Sequence, residues 1–241
     1  MYSVLCFERV TIDDMSTPDL VTQRWDQEYR TGRYEGEGPV PFVGEILATL
    51  EANSLKDGDG VYVGCGNGRN YIPLTDAGLN IIGLDISPEA LHQIEDQRPT
   101  MAGKLACVDF LNYQPTAPLD YVISIQVFQH GKQEEVAKHF SKSASILKPA
   151  GLLFLRVNST ATQIFHDYKV LETNPEGGKT IEYTGGPKAG MSIHFYTKEE
   201  LTHLTDGLFE PVSALKEAVM GRKPPQTGQW VQWEGILRKS A

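Results

Sequence analysis

The sequence predicts a doubly wound α/β fold, a mostly parallel sheet with helices on both faces. Two observations carry this expectation. From residue 60, short and nearly continuous apolar runs alternate with helical segments, as strands buried on both sides require. Directly behind the first run, "VYVGCGNGRN" (Val61 to Asn70) places Gly64, Gly66 and Gly68 within five positions. Such a strand-to-helix turn lets the backbone approach a ligand closely. With 241 residues, 40% of them hydrophobic, the chain is read as one domain over 1–241.

Residues 1–52 form an N-terminal arm and helix. Ser16 or Thr17 before Pro18 resembles a helix cap, and the helix that follows carries Trp25 and Tyr29. "TGRYEGEGPVP" interrupts it, and Phe42, Ile46, Leu47 and Leu50 then mark a second helical stripe. The core over 60–158 reads as "GVYVG", "RNYIPLTDAG", "NIIGLDI", "SPEALHQIEDQ", "KLACVDF", "LDYVISIQV", "EEVAKHFSKSASILKPAG" and "LLFLRVN". Ser87 and Pro88 supply a cap with first-turn proline, while Val136, Phe140, Ser143 and Leu147 share one helical face. Pro73 removes an N–H near the start of its helix. Residues 159–191, rich in Thr, Gly and Pro, read as an insert on the substrate side. The core resumes over 192–241 with "SIHFYTKEELTHLTDG", where Thr197 and Glu200 form a capping-box pattern. "FEPVSALKE" and "QWVQWEGILRK" close it as strands joined by the hairpin "MGRKPPQTG".

A formal charge of −9 provides no global basic field, so a small-molecule substrate is expected rather than nucleic acid or an anionic membrane. Cys6, Cys65 and Cys107 show neither CxxC spacing nor an even count, which fits reduced thiols in a cytoplasmic protein. No stretch approaches the roughly 18 apolar residues of a membrane span, and the N-terminus lacks a basic leader region. A monomer or homodimer is expected.

The glycine turn reads GxGxG, with Arg69 where the dinucleotide pattern GxGxxG has its last glycine, which weakens a pyrophosphate reading. Asp85 follows at the end of the second core strand, where a carboxylate accepts hydrogen bonds from ribose hydroxyls. Asp109 is placed at the end of the third strand near an exocyclic amine, with Phe110 along a purine face. Cys65 reads as a small buried residue of the turn.

Through "VGCGNGRN", "GLDIS", "CVDF", "LDYVISIQVFQH" and "ILKPAGLLFLRV", taken in order, the sequence resembles the class I S-adenosylmethionine-dependent methyltransferases. "RWDQEYRTGRY" is similar to the entry segment of the thiopurine and tellurite-resistance group. The resemblance implies a Rossmann-like seven-stranded sheet with the last strand antiparallel, and S-adenosylmethionine as cofactor. It further implies that Gly64, Cys65, Gly66, Gly68 and Arg69 cradle the methionyl-ribose end and that Asp85 and Ile86 meet the ribose. Asp109 and Phe110 would meet the adenine, Gln126 would lie at the cofactor rim, and Trp25, Tyr29 and Tyr34 would close over the site. Tyr62 stands where the family commonly has an acid. No metal is required.

His130, just beyond Gln126, either accepts a substrate proton or instead orders the following helix or contacts the cofactor. His92, His139 and His203 fall in helical patterns and read as surface residues; His166 and His194 stay open. The expected activity is methyl transfer to a heteroatom of a small molecule. The alternatives are a noncatalytic cofactor-binding or partner protein with the same fold, and a nucleotide-dependent oxidoreductase, which Arg69 disfavours.

Overall fold

The parity of each strand decides which helices cover it. Val61 and Val63 point to one face of the sheet and pack with Val136 and Phe140, whereas Tyr62 between them points to the other and packs with Ile46, Leu50 and Leu74. The computed structural model describes residues 20–224 and 226–240; the expected cap at Ser16 or Thr17 and Cys6 lie outside the described residues.

The chain begins with α1 (Leu20–Arg30) and α2 (Phe42–Ala52). It continues through β1 (Asp59–Val63), α3 (Tyr71–Asp76), β2 (Asn80–Asp85), α4 (Pro88–Gln97), β3 (Leu105–Cys107), β4 (Leu119–Ile125), α5 (Gln133–Ile146) and β5 (Leu147–Asn158). Three short strands follow, β6 (Tyr168–Thr173), β7 (Lys179–Tyr183) and β8 (Ser192–Phe195). The chain then completes with α6 (Lys198–Thr205), β9 (Phe209–Pro211), β10 (Lys216–Gly221) and β11 (Gln229–Lys239).

The main sheet runs β10-β11-β5-β4-β1-β2-β3, with β9 also paired to β11. Pairs from β3 across to β5 are parallel, and β11 is antiparallel to β5. β9 pairs with Leu237–Lys239 and β10 with Gln229–Glu234, both on the side of β11 away from β5. They therefore form one interrupted edge position, giving the seven-position sheet with its last strand antiparallel. The single segment "FEPVSALKE" is split because pairing lapses over residues 213–215.

Local chemistry explains the helix starts. Ser87 Oγ accepts from Ala90 N at 3.1 Å, and Pro88 occupies the first turn of α4. Thr197 Oγ1 accepts from Glu200 N at 3.1 Å, but the expected reciprocal bond is not formed. The Glu200 carboxylate turns instead into the interior, where His194 Nε2 and Asn174 Nδ2 meet Oε1 at 2.8 and 2.5 Å.

Residues 159–191, read as an insert, supply β6 and β7 of a three-stranded antiparallel sheet, β6-β7-β8. Ser192–Phe195, expected to resume the core, forms its third strand and continues into the main domain by pairing with the segment after β4. His194 N donates to Gln129 O at 2.7 Å and Gly131 N donates to Ser192 O at 3.1 Å. Among the described residues no helix is long and apolar enough to cross a membrane.

Candidate functional site

Strand order reverses between β1 and β4, whose carboxyl ends open a crevice of the type that holds ligands in doubly wound sheets. A cavity of about 850 Å³ lies there, bordered by the glycine turn, the ends of β2 and β4, helix α1 and the turn between β7 and β8. That volume is within the usual range for a cofactor-sized ligand.

Gly64 and Gly66 adopt φ of +63° and +55°, a region side chains disfavour. An added Cβ at Gly64 would strike Val127, and one at Gly66 would lie 2.5 Å from the Tyr29 hydroxyl. The close approach at Gly66 thus includes the protein's own α1 helix. Gly68 is closed by Ile72 and Ile94, so it serves the packing of α3 and α4 and does not border the cavity.

Asp85 is 7% exposed at the cavity wall. Its Oδ2 accepts from Gly66 N at 2.8 Å and Oδ1 from Ser87 N at 2.9 Å, so each oxygen keeps acceptor capacity for a ligand hydroxyl. Burial raises its pKa to about 6, opposed by these backbone donors. A buried carboxylate flanked by a glycine turn matches the polar demands of a ribose, so the residues present fit an adenosyl cofactor.

Other predicted residues take distinct places. Arg69 borders the cavity while it ties down the arm, donating to Gly38 O at 2.7 Å and pairing with Glu37 at 3.1 Å. The Cys65 thiol packs in the core beside Gly83, and burial raises its pKa, so only the turn backbone of Cys65 serves the crevice. Ile86 also borders the cavity. Asp109 lies two residues beyond the end of β3 rather than on it, because strand pairing stops where Asp85 meets Cys107. Its Oδ1 caps the following turn through Leu111 N at 2.8 Å. The Phe110 ring is buried and stacks on Phe128 and His139, with centroids 5.4 and 6.1 Å away.

The face of α1 carrying Trp25 and Tyr29 lies over the crevice. Trp25 meets His130 edge-on at 5.0 Å, and the Arg33 guanidinium stands 5.2 Å from the Trp25 ring centre. Asp26 fastens the helix by accepting from Ser87 Oγ at 2.5 Å and Glu89 N at 3.3 Å, at the start of α4. Gln126, directly after β4, lies in the left-handed region, φ +64°, with its N–H held by Arg156 O at 2.7 Å. Its carbonyl lies 3.0 Å from His130 Nε2. A carbonyl only accepts, so Nε2 carries the hydrogen and Nδ1 holds a lone pair. That Nδ1 is buried without a hydrogen-bond partner among the described residues, and burial lowers the His130 pKa to about 3.

Tyr62 is 1% exposed, packs edge-on against Tyr71 at 6.0 Å and engages the Asn70 side chain; burial raises its pKa. His139, read as a surface residue, is 8% exposed and stacks on Phe128 at 4.8 Å. His92 and His203 are exposed as expected. His194 is fully buried between Thr180 and Glu200, and His166 meets Phe165 and Tyr183 edge-on. Sequence reasoning missed Asp26, Arg33 and Lys188, all of which depend on tertiary placement. Among the described residues no group of three or more His, Cys, Asp or Glu side chains is placed to hold a metal ion.

Strand order, glycine turn and rim carboxylate are arranged as in the class I S-adenosylmethionine-dependent methyltransferases that the sequence resembles. The family model described as a methyltransferase domain matches residues 61–151. A probable thiol methyltransferase 2 of Arabidopsis thaliana is 23% identical over 138 residues, covering 54% of this chain and 58% of the plant protein, so the match spans under two thirds of that relative. The Burkholderia thailandensis 1,6-didemethyltoxoflavin-N1-methyltransferase, solved with bound 1,6-didemethyltoxoflavin and S-adenosylhomocysteine, superposes with a TM-score of 0.61 at 14% identity, covering 94% of this chain and 92% of that one. TehB from Haemophilus influenzae does so with a TM-score of 0.61 at 12% identity, covering 89% and 67%.

Proposed function

We propose that the protein transfers a methyl group from S-adenosylmethionine to a heteroatom of a small molecule. The observation that carries this reading is the buried Asp85 carboxylate fixed to the glycine turn at the wall of a cavity that continues to His130. When bound, the cofactor supplies an electrophilic methyl group, and the protein's tasks are alignment, water exclusion and handling of the acceptor's proton. Asp85 binds the ribose, while Trp25 and Tyr29 keep water from the crevice. Asp109, with Phe110 behind it, marks the adenine end, and Gln126 shapes the rim where cofactor and acceptor meet.

His130 faces the acceptor as a neutral ring with its Nδ1 lone pair available. With its pKa lowered to about 3, it orients an acceptor O–H, N–H or S–H by hydrogen bonding and is a weak base for full proton removal. His130→Ala is expected to lower kcat about 100-fold, at the low end of general-base effects, with S-adenosylhomocysteine affinity unchanged. Unchanged turnover would remove His130 from the catalytic set.

Calorimetry separates this function from the alternatives. S-adenosylhomocysteine is expected to bind and NAD to show no heat; the reverse would overturn the assignment. Binding without turnover across oxygen, nitrogen and sulfur acceptors would favour a noncatalytic cofactor-binding protein.

A further inference from the structure

We infer that the acceptor is a small carboxylate-bearing molecule, whose negative group is held by Lys188 on the turn between β7 and β8, beside His130. This rests on the methyltransferase reading above and names the class of its second ligand. Lys188 borders the same cavity as His130, and its ammonium makes no hydrogen bond or ion pair among the described residues. Its nearest defined contact is the Trp230 ring, 5.8 Å from the nitrogen to the ring centre, and Arg222 stands 4.7 Å from that same ring. Two residues along the turn, Gly190 (φ +79°) admits the Arg24 guanidinium, which would lie 2.9 Å from an added Cβ.

The charges around Lys188 are predominantly positive. Arg33 and Arg222 act on it as like charges, and Glu28, the carboxylate that acts on it among the described residues, is already ion-paired with Arg33. His130, on which Lys188 also acts, is neutral. Burial, reinforced by these guanidinium groups, lowers the Lys188 pKa to about 7. A half-buried ammonium among cations, without an acid to neutralise it, is stabilised by an incoming anion. That anion is distinct from the cofactor's carboxylate by position. Lys188 approaches with the inserted sheet and the β10–β11 hairpin, whereas the glycine turn and Asp85 occupy the ends of β1 and β2.

Anion binding raises the lysine's pKa, so between pH 7 and 8 it is accompanied by proton uptake, and affinity declines as pH rises above about 7. The test titrates the S-adenosylhomocysteine-loaded protein with benzoate and with benzamide, a neutral probe of nearly the same shape, in buffers of different ionisation enthalpy. Benzoate is expected to bind at least about tenfold more tightly than benzamide, with proton uptake. The preference should vanish in Lys188→Met and persist without the uptake in Lys188→Arg, while all three proteins bind S-adenosylhomocysteine alike. Equal or absent binding of both probes to wild type, or a preference that survives Lys188→Met, would overturn the inference. So would a loss of S-adenosylhomocysteine affinity confined to Lys188→Met, because the lysine would then serve the cofactor. Failure of the wild type to bind S-adenosylhomocysteine would instead overturn the methyltransferase reading itself.

Discussion

Asp85→Asn is expected to weaken S-adenosylhomocysteine binding about 100-fold, or about 2.7 kcal/mol. A hydrogen bond to a charged group contributes about 1.5–3 kcal/mol, and the carboxylate has room for both ribose hydroxyls in addition to Gly66 N and Ser87 N. Asparagine keeps one acceptor oxygen but sets its NH2 against one of those backbone donors. The pH dependence has a defined sign. Hydroxyl donors bind the ionised carboxylate, so wild-type affinity is full well above pH 6 and falls as pH drops below about 6, where Asp85 takes up its proton. The variant should show no such limb. For stability the sign is opposite. The raised pKa means that the folded chain holds this proton more tightly than the unfolded chain does, so the carboxyl's contribution declines as pH rises from about 4 to about 6. Calorimetric titration between pH 5 and 8 checks the binding profile; a flat wild-type curve, or wild-type affinity in Asp85→Asn, would remove Asp85 from the ribose site.

The second large effect concerns folding. Arg156, 1% exposed on β5, pairs with Glu234, 5% exposed on β11, at 2.9 Å across an antiparallel strand pair. Removing one member of a buried pair leaves an uncompensated charge, which costs about 3–5 kcal/mol. Lys216, 3.7 Å from the second Glu234 oxygen and half-exposed, offsets part of this. Arg156→Met should therefore destabilise by about 3 kcal/mol and lower Tm by roughly 10 °C. Arg156→Met combined with Glu234→Leu should recover most of that loss, because two matched apolar groups leave nothing buried and unpaired. Urea unfolding of both variants decides the matter: an undiminished single variant, or a double variant as unstable as the single, would refute the account.

The alternating core was legible because its strands are buried on both faces and its helix caps are written in short motifs such as Ser87-Pro88. The glycine turn and Asp85 were legible for the same local reason. The small sheet was not, since Tyr168–Leu171 are exposed and "YKVLET" lies amid glycine and threonine without a buried stripe. His139 did carry a signal, as it falls on the helical face of Val136 and Ser143, but its residue type suggested the surface. The Asp109 position depended on strand register, which only pairing partners define. Lys188 offered no signal, since "GGPKAG" is ordinary turn chemistry until the β10–β11 hairpin and the turn after α1 bring Trp230 and Arg33 beside it.

The three-stranded sheet has two unlike ends. At the β6–β7 turn, Glu176 O accepts from Thr197 Oγ1 at 2.9 Å, and its carboxylate meets His203 Nδ1 at 2.7 Å, so that end is fastened to α6. The β7–β8 turn, Thr184–Met191, borders the cavity. Heritable change therefore has separate consequences at the two ends. Insertions at the first would loosen the scaffold, whereas substitutions at Lys188, Gly190 or Met191 in the second change the cavity wall while strand pairing and the glycine turn stay intact. One short turn is thus where the cavity's lining can change without refolding the scaffold.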